Sequence, residues 1–164
     1  MANDKTVYDF DLETLQGGKP LPLSQFKGQP LLIVNTASQC GFTYQYKGLE
    51  EVWKDNRDKG LVVIGVPSND FGRQEPGKAS EIAQFCEINF GVDFPLAAKT
   101  PVSGRDAHPL FKHLAGEGGF LSRPRWNFYK YLVGRDGRLV TWFSSLTKPD
   151  SASFKRAIAK IVAK

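Results

Sequence analysis

Covalent and metallic supports are scarce in this sequence. Two cysteines stand in 164 residues, too few for a disulfide framework, and a chain of this length can bury an ordinary core without one. The two histidines, His108 and His113, have no cysteine or carboxylate cluster at zinc spacing, so no metal is expected. His108 precedes Pro109 and reads as structural, while His113 reads as exposed. No stretch approaches 18 consecutive apolar residues, which excludes a membrane-spanning helix. The start, MANDKTVYDFDLET, lacks the basic-then-apolar order of a secretory leader, so a cytoplasmic protein is expected. The net charge is +5, yet the 22 basic and 17 acidic residues are interspersed. Without a run of five like charges, a nucleic-acid-binding tail is not indicated. A mildly basic face that attracts an acidic partner protein remains open. No phosphate loop, dinucleotide fingerprint or Ser-His-Asp arrangement is present, and no internal repeat or low-complexity segment divides residues 1–164, which read as a single domain.

What the chain does contain is organised around residues 30–53, PLLIVNTASQCGFTYQYKGLEEVW. Leu31, Leu32, Ile33 and Val34 form an apolar strand signal that ends in small and polar residues. Cys40 and Gly41 follow. Tyr46, Leu49, Val52 and Trp53 then fall at helical spacing. This is a buried strand, a tight turn and a helix, with a thiol near the helix start. Unpartnered amides and the helix dipole there favour the thiolate, the nucleophilic form. The alternative is a buried, inert cysteine that packs as a small hydrophobe.

Around that unit the pattern is α/β. Lys59-Gly60 stops the first helix, and residues 61–66, LVVIGV, form a second continuous apolar strand, as expected when both sheet faces are covered. Strand, helix, strand implies parallel pairing with a right-handed crossover. Val7 to Leu12 and Pro20 to Leu23 suggest an N-terminal β-hairpin across Gln16-Gly17-Gly18. A second helix is expected over Lys78 to Asn89, with Ala79, Ile82, Ala83 and Cys86 on its inward stripe. A brief extended segment follows at Phe94 to Leu96, a short helix at Pro109 to Leu114 and a loop at Gly116 to Arg125. A strand is expected from Trp126 to Val133. It turns at Gly134-Arg135-Asp136-Gly137 and returns over Arg138 to Phe143. A last helix starts at Pro149-Asp150-Ser151, with Phe154, Ala157, Ile158 and Ile161 on one face. This order describes a thioredoxin-like fold: a central mixed sheet flanked by helices, with the hairpin at one end. Fold alone does not give function.

A dithiol oxidoreductase would carry a second cysteine three positions after Cys40. Position 43 is Thr. A lone activated thiol suits attack on a peroxide O–O bond, leaving a sulfenic acid with which a second thiol can condense.

The segments NTASQCGFTYQYKGLE, NDFGRQEPG and WNFYKYLVGRDGR, in this order, resemble the glutathione peroxidase family, and the resemblance runs over about residues 6 to 162. It implies a thioredoxin-like fold and a catalytic tetrad of Cys40, Gln74, Trp126 and Asn127, the last three offering neutral N–H donors to an anionic sulfur, although taken singly Gln74 also reads as a solvated loop residue and Trp126 as core packing. It implies reduction of hydrogen peroxide and organic hydroperoxides without metal, flavin, haem or other cofactor. Phe85-Cys86-Glu87-Ile88-Asn89-Phe90-Gly91 is similar to the context of the resolving cysteine in thioredoxin-dependent members. Cys86 is therefore either a resolving thiol or a core residue on its stripe. A disulfide needs Cα atoms within about 7 Å, so a cysteine inside a packed helix would have to leave it to reach Cys40.

Where many members read F-P-C-N-Q-F-G, this chain has Val66-Pro67-Ser68-Asn69-Asp70-Phe71-Gly72, and Asp70 is expected to point to solvent. The short stretch between Leu114 and Trp126 lacks the long insertion that supports tetramers in some members of that family, so the resemblance implies a monomer. Arg123 and Arg125 read as a solvated basic rim or as contacts for glutathione carboxylates. Thioredoxin is the expected reductant and glutathione the alternative. The rival readings are a one-cysteine glutathione-dependent peroxidase and a non-enzymatic peroxide sensor or thiol relay.

Overall fold

The structure, a computed structural model, describes residues 4–37, 43–73, 75, 77–83 and 94–163. The apolar run after Pro30 becomes strand β3 (Leu31–Thr36), buried at every position. Helix α1 (Gln45–Asn56) follows, continues into a 3-10 turn at Arg57–Lys59 and ends on Gly60. Gly60 sits at φ +96°, where a side chain would be strained. Strand β4 (Val62–Pro67), again buried throughout, lies parallel to β3 with Leu31 opposite Val62 and Thr36 opposite Pro67. The first half is thus the expected strand-helix-strand unit with parallel pairing.

Strands β1 (Asp11–Glu13) and β2 (Pro20–Pro22) pair antiparallel as a separate two-stranded sheet. They are shorter than the alternation suggested, because Val7–Asp9 and Leu23–Phe26 close into 3-10 turns instead. Residues 79–83 are helical, and the remainder of the second expected helix lies largely outside the described residues. Helix α2 (Pro109–Gly118) extends beyond Leu114. Its N-cap is His108, whose Nδ1 accepts from the Leu110 N–H at 3.1 Å, a structural role. His113 is buried rather than exposed: its ring packs 5.1 Å from that of Phe10, and Nε2 lies 2.9 Å from Glu117 Oε1. Position 113 is on the helix face that covers the sheet, which outweighs the polarity of imidazole once a carboxylate partner stands one turn away.

Strand β5 (Lys130–Val133) runs antiparallel to β3, and β6 (Leu139–Phe143) antiparallel to β5, giving the sheet order β4-β3-β5-β6. Helix α3 (Ala152–Ala163) closes the chain. One face of the sheet packs Leu32, Val34, Val63 and Leu132 against Leu49 and Val52 of α1 and Phe154, Ile158 and Ile161 of α3. The other packs Leu31, Ile33, Ile64 and Tyr131 against Leu110, Phe111 and Leu114 of α2 and Leu12 and Leu21 of the hairpin. Layers on both faces explain why β3, β4 and β5 are apolar at consecutive positions rather than alternating.

Candidate active site

Two of the five site residues expected from the sequence, Trp126 and Asn127, fall among the described residues. Cys40, Gln74 and Cys86 lie outside them. Described residues of the segments that carry Cys40 and Gln74, namely Asn35 and Phe71, both meet the turn that carries Trp126.

Strand β5 begins later than the sequence suggested. Residues 126–129 form a turn, because Phe128 adopts φ +64°, a left-handed conformation that is uncommon for a bulky side chain. The turn lies at the carboxyl end of β3, where Asn35 holds it three ways. The Phe128 N–H donates to the Asn35 carbonyl at 2.6 Å. Asn35 Nδ2 donates to the Trp126 carbonyl at 2.9 Å. The Tyr129 N–H donates to Asn35 Oδ1 at 3.0 Å. Asn35 is the first residue of the NTASQC segment, so this motif and the WNF motif are bonded directly.

The loop after β4 meets the same place. The Ser68 N–H donates to the Thr36 carbonyl at 3.0 Å. The Phe71 ring lies 6.0 Å from that of Trp126. The Glu75 N–H donates to Asn69 Oδ1 at 3.1 Å, closing the loop on itself, and Glu75 is buried. Asp70 is exposed, as expected, but it is not idle. Its Oδ2 accepts from the Val102 N–H at 2.6 Å and the Ser103 N–H at 3.0 Å, tying the loop after β4 to the segment that leads into α2.

The two described members of the expected tetrad have opposite surroundings. Asn127 is fully buried, whereas Trp126 is 36% exposed. Trp126 lines a groove of about 370 Å³ with Arg125, Tyr129, Ser144, Ser145 and Leu146. The Arg125 guanidinium sits 5.9 Å from the Tyr129 ring centre, and Arg123 3.9 Å from that of Phe120. The basic rim is therefore partly spent on aromatic faces.

Three neighbours of the turn were not singled out in the sequence. Ser145 Oγ makes a short hydrogen bond to the Asn127 carbonyl. Gln45, the first residue of α1, donates from Nε2 to the Ser145 carbonyl at 2.7 Å. Lys130 is wholly buried and donates from Nζ to the Phe128 carbonyl at 2.8 Å and the Ser144 carbonyl at 3.3 Å. Burial pushes its ammonium from 10.5 down to about 7. The one signal in the sequence was a lysine inside an otherwise apolar strand, KYLV.

The four-stranded mixed sheet with helices on both faces places the molecule in the thioredoxin-fold class. It superposes on a thioredoxin family thiol:disulfide interchange protein from Chlorobium tepidum with a TM-score of 0.71 at 15% identity, covering 99% of each chain. The site end of that sheet carries motifs of a narrower group, and residues 7–115 match the family model described as glutathione peroxidase. The chain is 46% identical over 164 residues to the glutathione peroxidase-like peroxiredoxin GPX5 of Chlamydomonas reinhardtii, covering 99% of each. It is 46% identical over 155 residues to the hydroperoxy fatty acid reductase gpx1 of Synechocystis sp., covering 90% of this chain and 91% of that protein. The crystal structure of Trgpx in apo form matches with a TM-score of 0.81 at 36% identity, covering 99% of this chain and 98% of that one. The chain belongs to the glutathione peroxidase family. Among the described residues no helix is long and apolar enough to cross a membrane, and no group of three or more His, Cys, Asp or Glu could hold a metal ion.

Proposed function

We propose that this protein is a thiol peroxidase that reduces hydrogen peroxide and organic hydroperoxides. The observation that carries the reading is the convergence of the three family motifs on the turn at 126–129: Asn35 bonds it, and Phe71 packs on Trp126. Cys40 is the nucleophile. Its thiolate attacks one peroxide oxygen, the S–O bond forms as the O–O bond breaks, and the alcohol or water leaves with a proton. Sulfur is oxidised to the sulfenic acid and the peroxide is reduced by two electrons. Gln74, Trp126 and Asn127 supply neutral N–H donors to the sulfur and the departing oxygen. The exposed edge of Trp126 and the groove beside it fit this use.

Cys86 then condenses with the sulfenic acid, releasing water and forming a Cys40–Cys86 disulfide. A dithiol reductant of the thioredoxin type reduces that bridge by exchange. A monomer in the reducing cytoplasm suits such a cycle. The relatives named as a peroxiredoxin and as a hydroperoxy fatty acid reductase support this chemistry.

Steady-state turnover of hydrogen peroxide with a thioredoxin system tests the assignment. Cys40→Ser is expected to abolish both turnover and the first oxidation. Cys86→Ser is expected to consume one equivalent of peroxide and then stall. Full turnover by Cys40→Ser would refute the peroxidase reading. Full turnover by Cys86→Ser with thioredoxin would remove only its resolving role.

A further inference from the structure

Residues 126–128 present three successive carbonyls, and each accepts from a different buried side chain. Trp126 accepts from Asn35 Nδ2 at the end of β3. Asn127 accepts from Ser145 Oγ in the segment after β6. Phe128 accepts from Lys130 Nζ at the start of β5. The donors are wholly or almost wholly buried. The segment they hold contains no glycine, yet Phe128 stands at φ +64°, a conformation costing roughly 1–2 kcal/mol for a residue with a Cβ. Such a turn persists only where its surroundings over-determine it.

We infer that Lys130 and Ser145 are positioning residues of the active site, clamping the Trp126–Phe128 backbone so that the Trp126 and Asn127 side chains are presented at a fixed angle. The inference rests on the reading of Trp126 and Asn127 as site residues. Lys130 is an unusual choice for a purely structural tie. A lysine taken fully out of water destabilises the fold unless its N–H groups are used, and an apolar residue of similar length would fill the same space. Here Nζ bonds two carbonyls, that of Phe128 in the turn before β5 and that of Ser144 just after β6. The amine donates whether or not it carries its extra proton. Lys130 therefore staples the turn to the end of β6, and Ser145 adds the second stitch one residue further on. Gln45 fixes Ser145 in turn, so α1 joins the same network. Misplacing a catalytic donor by an ångström can slow a reaction by about two orders of magnitude, which gives such a clamp a function beyond stability.

The test is the second-order rate of Cys40 oxidation by hydrogen peroxide, followed by stopped-flow in wild type, Lys130→Met, Ser145→Ala and the double variant. Urea titrations establish the folded fraction. Each single variant is expected to slow oxidation by about 10- to 100-fold while reduction of the oxidised enzyme by thioredoxin is unchanged. The double variant is expected to be less than the product of the two, because both act through one turn. Lys130→Gln, which keeps a shorter donor, is expected to recover part of the rate. The Trp126 indole N–H signal in an NMR spectrum, assigned with Trp126→Phe, is expected to shift in both single variants. A clamp that is merely structural would lower the urea midpoint and leave the rate per folded molecule and the indole signal where they were. That result in Lys130→Met overturns the inference, and where Lys130→Met does not fold, the same result in Ser145→Ala does so. If wild type itself fails to react with peroxide, the proposed function falls, and the indole signal still decides the placement.

Discussion

Strand β5 has a turn at each end, and the two are built on opposite principles. At its far end Gly134 to Gly137 makes a hairpin from its own sequence. Gly137 takes φ +80°, the Asp136 carboxylate accepts from the Arg138 N–H at 3.0 Å, and the Gly134 N–H donates to the Arg138 carbonyl at 2.9 Å. Glycine supplies the left-handed backbone at no steric cost, and a short acid caps the turn. At the near end, residues 126–129 take a left-handed backbone at a phenylalanine and depend on donors 18 and 91 residues away. The first turn takes its shape from its own four residues, and distant groups then tie it down: the Tyr8 hydroxyl donates to the Gly134 and Arg135 carbonyls at 3.4 and 3.0 Å, and the Val7 N–H to the Gly137 carbonyl at 3.0 Å. The second exists only once β3, β5, β6 and α1 have assembled. The left-handed position of the far turn falls on a glycine that bears it without strain, while that of the near turn falls on a phenylalanine that the fold must hold.

The sharpest way to separate the two ends is through pH. Lys130 has its ammonium lowered to about 7 in the folded state from 10.5 in the open chain. Between those values the unfolded chain binds a proton that the folded protein does not, so stability rises as pH increases from about 7 towards 10.5. Below about 7 both states are protonated and the contribution is flat. The upper bound on this change is about 5 kcal/mol, and solvent access in partly open states would reduce it. Urea unfolding of wild type and Lys130→Met across pH 6 to 10 is expected to give a difference that grows in favour of wild type with pH. The next largest effect is expected from Asn35→Ala. Asn35 bonds the Trp126 carbonyl and the Tyr129 N–H at once, and its loss leaves the buried Tyr129 N–H unpaired, a cost of about 1–3 kcal/mol. Peroxide reactivity should fall with it, because the same bonds place Trp126.

Gly137→Ala attacks the other turn. The added methyl would stand 2.7 Å from Tyr8 Cδ2 and 2.8 Å from Thr6 Cβ, at a positive φ. A loss of about 1–3 kcal/mol is expected, with the peroxide rate of the folded protein unchanged. The same contrast explains what could be read from the sequence. The strands β3 and β4, the helix following Cys40, the stop at Gly60 and the GRDG hairpin are written in periodicity and local turn chemistry, and they stand where they were expected. The site motifs were legible as words, and Asn35 and Phe71 bring their described parts together. The clamp was not legible. Ser145 reads as an ordinary loop serine, and Lys130 as a polar interruption of a strand. Trp126 to Tyr129 continued an extended pattern until Asn35 bent it. His113 went astray in part for the same reason: its ring packs on Phe10, a contact remote in sequence, whereas Glu117 stands four residues on in the same helix.

The smallest expected effect concerns what the near turn faces rather than what holds it. Leu146 is 79% exposed and forms one wall of the groove beside Trp126, together with Arg125, Tyr129, Ser144 and Ser145. An exposed leucine is unremarkable by itself, but this one extends an apolar surface outward from the tryptophan edge. Hydrogen peroxide has no apolar part and gains nothing there. A hydroperoxide with an alkyl or aryl tail can shed water against Leu146 while its O–O bond is held at the site. Leu146→Asp should therefore leave the rate with hydrogen peroxide within error and lower that with cumene hydroperoxide by about three- to tenfold, the scale of a partial apolar contact. The ratio of the two rates isolates the contact from any change in the thiol, because a weakened thiolate would slow both substrates alike. An unchanged ratio would mean that the tail does not run along this wall, and that the left-handed turn presents Trp126 to the peroxide oxygens alone.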